Sequence, residues 1–214
     1  MKPFQYIPAL KYHFFTPIYD WFIGLTMPEV KVKTKAIEYL EIKPFEKVLD
    51  FGCGTATALI LAKNLVPDAE ITGFDVDEKI MKIAQNKVDK SNQKINLVCL
   101  YSNTLPFSDN YFDKIFSTWV FHHLNSEEKL QAFKELRRVL KPEGKMLIAD
   151  WGAPQNFLMK ILFTILQVFD NFETTAHNKK GLLPNTMLNG GFETVEEIGF
   201  QNTIMGTLRY WKVS

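Results

Sequence analysis

Val48-Leu49-Asp50-Phe51-Gly52-Cys53-Gly54-Thr55 is a short apolar run that ends in two closely spaced glycines, and a helix-patterned segment over 55–65 follows it. Strand, tight turn and helix in that order predict one unit of a parallel sheet covered by helices. Outward from it, strands are expected at 47–51, 70–74, 95–101, 112–118 and 145–150, alternating with helices at 55–65, 78–90 and 126–140. In the last of these helices Leu130, Phe133, Leu136, Val139 and Leu140 make one continuous apolar side. It should stop at Lys141-Pro142-Glu143-Gly144, where proline disfavours helix in its predecessor and glycine supplies a turn. The tail reads as a helix over 182–189 and two strands, 194–200 and 203–213, close enough to pair as an antiparallel edge hairpin. The expected fold is α/β, a doubly wound and mostly parallel sheet. Without linker or repeat, residues 1–214 read as one domain.

Composition narrows the function classes. With 46% hydrophobic and 23% charged residues in 214, the chain is an ordinary folded domain. Twenty-five basic against 24 acidic residues leave a net charge of +1, too little field to hold a polyanion, so nucleic acid is disfavoured as a partner. Cys53 and Cys99 are too few for a disulfide framework or a thiolate metal site. Both lie in apolar segments and read as reduced core thiols of a cytoplasmic protein. The aromatic content of 14% is uneven: Phe4, Tyr6, Tyr12, Phe14, Phe15, Tyr19, Trp21 and Phe22 crowd the N-terminus. Pro3, Pro8, Lys11, Pro17 and Asp20 interrupt that segment, which does not read as an export signal. The longest apolar stretch, over 157–169, contains Lys160 and is shorter than the ~20 residues that span a bilayer, so no crossing is expected.

The glycines let the backbone turn tightly and approach a ligand, while the following helix offers unpaired N–H groups. Asp75 stands at the end of the next strand, where a carboxylate can accept both hydroxyls of a ribose. Together these residues describe a nucleoside-containing cofactor at the carboxyl edge of the sheet. A dinucleotide site prefers a third glycine, and that position holds Thr57. Asp50, just before the turn, repels a pyrophosphate but suits a cofactor carrying an ammonium or sulfonium, which tilts the choice from NAD towards S-adenosylmethionine.

VLDFGCGT, then GFDVD ending at Asp77, LPFSDNYFD (residues 105–113), the stretch through His122-His123, and LRRVLKPEGKMLIAD (residues 136–150) resemble, in order, the motif series of class I S-adenosylmethionine-dependent methyltransferases. The similarity is to the branch with the ubiquinone and menaquinone biosynthesis methyltransferases, over roughly residues 12–150. It implies a Rossmann-like methyltransferase sheet, an N-terminal helical lid (1–30) and an insertion helix (within 153–180). Gly52, Cys53, Gly54 and Thr55 then line the methionine part of the cofactor, Asp50 helps hold its ammonium, Asp75 takes the ribose and Val76 packs on the adenine. Thr118 faces the methionine end. The family's acidic or amide contact to the adenine amino group falls on Tyr101 here, so that contact passes to Ser102 or Asn103. Ala56 and Glu143 replace glycines common in the family.

Methyl transfer from a sulfonium needs alignment, exclusion of water and removal of a proton where the acceptor carries one. Candidate bases are His122 and His123, since imidazole titrates near neutral pH, with loop-capping the plain alternative. The resemblance puts Tyr19 at the start of the lid, in reach of the cofactor carboxylate or the acceptor. His13, Asp150, Trp151 and His177 are lesser candidates, His177 in an expected exposed loop. In the 157–169 helix Lys160, Thr164 and Gln167 form one narrow polar stripe on an otherwise apolar cylinder, which suits a buried lid or the wall of a lipophilic site touching a membrane surface. The expected reaction is transfer of a methyl group from S-adenosylmethionine, leaving S-adenosylhomocysteine, to a small hydrophobic or amphipathic acceptor such as a quinone precursor or phospholipid head group. The alternative is a non-catalytic cofactor-binding module that assists a partner enzyme.

Overall fold

The computed structural model describes residues 28–169, 172–204 and 206–214. Strands β1 (Lys47–Phe51), β2 (Glu70–Asp75), β3 (Asn96–Cys99), β4 (Phe112–Thr118), β5 (Leu140–Trp151), β6 (Val195–Thr203) and β7 (Gly206–Val213) form one seven-stranded sheet. Its order is β3-β2-β1-β4-β5-β7-β6. The pairs β1–β2, β1–β4, β2–β3 and β4–β5 are parallel, whereas β7 runs antiparallel between β5 and β6. The doubly wound sheet and the edge hairpin are as the sequence predicts. Chain order reverses between β1 and β4, and at such a switch point a crevice opens beyond the carboxyl ends of the strands.

Seven helices are described: α1 (Glu29–Leu40), α2 (Thr57–Leu65), α3 (Glu78–Ser91), α4 (Ser126–Val139), α5 (Phe157–Phe169), α6 (Phe172–Lys179) and α7 (Leu183–Asn189). Period-two alternation divides the strands between two cores. Val48, Leu147 and Tyr210 face the layer with α1, α2, α3 and α5. Leu49, Ile148 and Trp211 face α4 and α7. Helix α4 starts on a reciprocal cap: Asn125 Oδ1 accepts from Glu128 N at 3.0 Å, and Glu128 Oε2 accepts from Asn125 N at 2.8 Å. Such a box contributes about 1 kcal/mol.

Helix α2 starts later than its apolar pattern predicts, because Ala56 adopts the left-handed region (φ 65°) and prolongs the glycine turn. Strand β5 starts earlier: Leu140 pairs with Phe112, then the register jumps to Lys145 opposite Lys114. Lys141-Pro142-Glu143-Gly144 is thus a bulge in a strand rather than a free turn, and Pro142 has no ladder position to deny. Cys53 is buried as expected, but Cys99, at the end of short β3, is exposed. His177 is not in an exposed loop: it lies half-buried on α6, with Nε2 at 3.2 Å from Thr186 Oγ1. The polar residues of α6 read as a loop, yet Thr174, Thr175 and Asn178 are buried and bonded. The stripe on α5 is also split. Lys160 and Thr164 are exposed, while Gln167 joins Met159 and Phe163 on the buried side, where Thr175 satisfies its amide at 3.1 Å.

Candidate functional site

A cleft of about 410 Å³ opens beyond the carboxyl ends of β1, β2 and β4. Gly52, Cys53, Gly54 and Thr55 form one wall, and Asp75, Val76 and Asp77 a second. Tyr101, Ser102 and Asn103, then Thr118, Trp119, Val120 and His123, complete the rim with residues of α1 and α4.

The glycine turn is held to β2 from both sides. Gly52 N and Cys53 N donate to Phe74 O at 2.8 and 3.0 Å. Asp75 Oδ2 accepts from Gly54 N at 2.9 Å and its Oδ1 from Asp77 N at 3.1 Å. Gly52 needs its lack of a side chain twice: φ is 74°, and a Cβ would stand 2.3 Å from Val120 Cγ2. Gly54 has φ 54° and open space where a Cβ would project, which leaves its backbone accessible to a ligand. Asp50 lies behind the turn, 1% exposed, and neither carboxyl oxygen has a hydrogen-bond partner among the described residues. Burial pushes its carboxyl up to about 7; Lys33 pulls it down and Asp75 pushes it further up. A buried acid in that state invites a cation.

At the end of β4, Trp119 occupies the left-handed region with φ 57°, uncommon for a bulky residue. Its Nε1 is buried and has no partner among the described residues. The ring lies 6.4 Å from Trp151, which lies 6.3 Å edge-on to Phe163 of α5, so aromatic side chains run from the cleft into that helix.

The two candidate bases separate. His122 turns away from the cleft, its Nδ1–H donating to Asp150 Oδ1 at 2.8 Å. Asp150, fully buried, also accepts from Val120 N (3.0 Å), Phe121 N (2.7 Å), Trp151 N (2.7 Å) and Asn178 Nδ2 (3.3 Å). Burial opposes ionisation there, but the His122 charge and these donors hold the carboxyl below its usual range. His123 lines the cleft, and burial with His122 alongside pushes its imidazole down to about 3. It is therefore neutral and weakly basic. Lys129 Nζ, buried, ties the turn and α6 together through Leu124 O (2.6 Å) and Thr174 O (2.7 Å).

Of the residues expected at the site, Gly52, Cys53, Gly54, Thr55, Asp75, Val76, Tyr101, Ser102, Asn103, Thr118 and His123 meet around the cleft. Asp50 and His122 stand behind its wall, and Tyr19 lies outside the described residues. Missed from sequence were Lys33, Trp119, and Glu128, Gln131 and Glu135 of α4. Lys33 sits among Lys31 and Lys35 on a polar helix, and nothing in the pattern separates it from a solvated charge. The α4 residues form the polar face of an amphipathic helix, which also reads as solvated.

Strand order, switch-point cleft, glycine turn and strand-end aspartate together define a Rossmann-like methyltransferase. Comparisons with known proteins agree. A methyltransferase domain model matches residues 48–144. The ubiquinone/menaquinone biosynthesis C-methyltransferase UbiE of Shewanella sediminis is 30% identical, over 84% of this chain and 79% of its own. A SAM-dependent methyltransferase from Aquifex aeolicus superposes with a TM-score of 0.64 at 23% identity, over 91% of this chain and 95% of its own. Magnesium protoporphyrin IX methyltransferase of Synechocystis, solved with bound S-adenosylhomocysteine, superposes with 0.67 at 18% identity, over 86% and 82%. The chain belongs to the class I S-adenosylmethionine-dependent methyltransferases and is related to UbiE. It is an enzyme, and its cofactor is S-adenosylmethionine. The residues fit that cofactor: the unpartnered Asp50 carboxyl suits its cationic end, and the open flank of Gly54 leaves room for it.

Proposed function

We propose that this enzyme methylates a small, flat and lipophilic or amphipathic acceptor, of the quinone-precursor or phospholipid head-group class, at the cleft beyond β1, β2 and β4. The observation that carries the reading is the aromatic run Trp119–Trp151–Phe163, which joins the cleft to a helix whose outer side exposes Phe157, Leu158 and Ile161. A helix that buries one apolar side and exposes three large apolar residues beside Lys160 and Thr164 suits an element at a lipid surface more than one wholly in water. The names of two relatives support it, since one acts in ubiquinone and menaquinone biosynthesis and the other on magnesium protoporphyrin IX. The acceptor is reached in a cytoplasmic protein that touches a membrane peripherally through α5. Among the described residues, no helix is long and apolar enough to cross one. Residues 1–214 are taken as one domain, with 1–30 as a lid and 153–180 as an insertion.

The cofactor supplies an activated methyl group on a sulfonium when bound. Asp75 fixes the ribose end, and the glycine turn gives close backbone approach. Asp50 balances the positive end from behind. Trp119, Phe51 and Phe74 exclude water and present flat apolar surface to the acceptor. His123, neutral in the wall, orients the acceptor; an imidazole pushed down to about 3 is too weak a base to hold a departing proton near neutral pH.

The test is incubation with methyl-labelled S-adenosylmethionine and a total lipid extract, followed by phase partition. Label in the organic phase, abolished with Trp119→Ala, is expected. Label only in water-soluble metabolites overturns the lipophilic acceptor. Stabilisation by S-adenosylhomocysteine without any transfer marks a non-catalytic module.

A further inference from the structure

We propose that the outer face of α5 and α6 docks on an anionic lipid surface, with Phe157, Leu158 and Ile161 entering the headgroup boundary and Lys160, Lys179 and Lys180 meeting lipid phosphates. The inference rests on reading α5 as a lipid-facing helix and adds the charge of the lipid, which selects the membrane.

The apolar part of this face is a stripe. Phe157, Ile161 and Leu158 are 77%, 45% and 59% exposed, and at about 100° per residue they cover an arc of about 100° on α5. Met159, Phe163 and Gln167 fill the other side and are buried. A single exposed apolar residue is ordinary, but three adjoining ones on one helix make a patch that water disfavours.

Charge says what covers it. Lys160 and Thr164, one turn apart and both exposed, border the stripe on the side of α6. Helix α6 folds back along α5: Gln167 Nε2 donates to Thr175 Oγ1 at 3.1 Å, and Lys179 Nζ donates to Thr164 Oγ1 and Gln167 Oε1, both at 2.8 Å. That brings Lys179, with exposed Lys180 next to it, to the same border. Residues 151–169 contain no Asp or Glu. Asp170 precedes α6 and Glu173 stands in its first turn, at the far end from Lys179. None of the three lysines has a carboxylate partner among the described residues. A net charge of +1 gives the chain no overall field, so this is a local feature. The lysine stems can lie along the apolar stripe while their ammonium groups reach phosphate. A second copy fits less well, because a two-fold contact through this face sets the patch against itself, lysine facing lysine.

The experiment is vesicle flotation of the full chain on phosphatidylcholine alone and on equal parts of phosphatidylcholine and phosphatidylglycerol. A lysine near an anionic surface contributes about fivefold in affinity, so the mixed vesicles should bind up to about a hundredfold more tightly. Lys160→Gln with Lys180→Gln should weaken that binding about twentyfold and leave phosphatidylcholine binding as it is. Phe157→Ser with Ile161→Ser should weaken both, and thermal melts check that these exposed positions leave the fold intact. Equal binding to the two vesicle types, or to neither, overturns the anionic surface. A dimer in solution that Phe157→Ser turns into a monomer overturns it as well and gives the face to a second copy. The lipophilic acceptor stands or falls separately, by whether label from a detergent-dispersed extract enters the organic phase.

Discussion

Replacing Asp75 with alanine separates the two tasks given to that side chain. In the structure its oxygens accept the N–H groups of Gly54 at 2.9 Å and Asp77 at 3.1 Å, clamping the glycine turn to the end of β2. Bonds to an ionised acceptor contribute about 1.5–3 kcal/mol each, and the lower end applies because the group is only partly buried. Water replaces part of that in the variant, so about 2 kcal/mol of folding stability should go. For a domain of this size that is a fall in Tm of about 4–8 °C. If Asp75 holds the ribose as proposed, the ligand loses two contacts as well, so S-adenosylhomocysteine should bind about a hundredfold more weakly or worse. Asp75→Asn is the control: with one acceptor oxygen, its amide must turn a donor towards either Gly54 N–H or Asp77 N–H, so it should resemble alanine. Calorimetric titration and thermal melts measure both effects. An alanine variant that binds S-adenosylhomocysteine within about threefold of wild type refutes the assignment of Asp75 to the ribose.

Asp50 gives a pH signature. Its carboxyl is raised to about 7 in the folded protein, against 3.8 ordinarily, so the folded state holds the proton more tightly and ionisation costs stability. That cost is absent below about pH 4 and complete above about pH 7. Asp50→Asn should therefore gain in Tm over wild type between about pH 5 and about pH 8, and an equal offset at both contradicts the raised value. Gly52→Ala meets Val120 at 2.3 Å in a left-handed backbone and should cost about 3 kcal/mol, while Gly54→Ala, with free space at φ 54°, should cost about 1 kcal/mol. Urea unfolding ranks the two, and the reverse order would rule out the close packing of the turn. Asp150→Ala strands five donors, among them buried His122, and should cost about 3–5 kcal/mol in the same assay. A loss under about 1 kcal/mol would mean that water substitutes for the carboxylate.

The strand–helix alternation, the glycine turn and the place of Asp75 could be read directly from residues, because each depends on local pattern, while most of the remaining wall followed from the resemblance and the switch point from the sheet order. Val48-Leu49 alternates between two cores, the glycines permit positive φ, and Asp75 stands at a strand end, all within one strand–turn–helix unit. Local pattern also misled. Lys141 to Gly144 has the composition of a turn, but β4 alongside draws it into a bulged strand. Thr174, Thr175, His177 and Asn178 are polar enough for a loop, yet Lys129, Gln167, Thr186 and Trp151 O meet them inside the molecule, and burial of paired polar groups leaves no mark in hydropathy.

Sequence by itself determined the fold class, the glycine turn and the chemistry of the cofactor, since these follow from backbone freedom, periodicity and charge over short spans. Only the tertiary structure decided which of two adjacent histidines borders the cleft. Asp150, distant along the chain, captures His122 and turns it inward, leaving His123 in the wall. It also set Lys33 apart from Lys31 and Lys35, because packing, and not residue type, buries one ammonium-bearing side chain in the lining of the cleft.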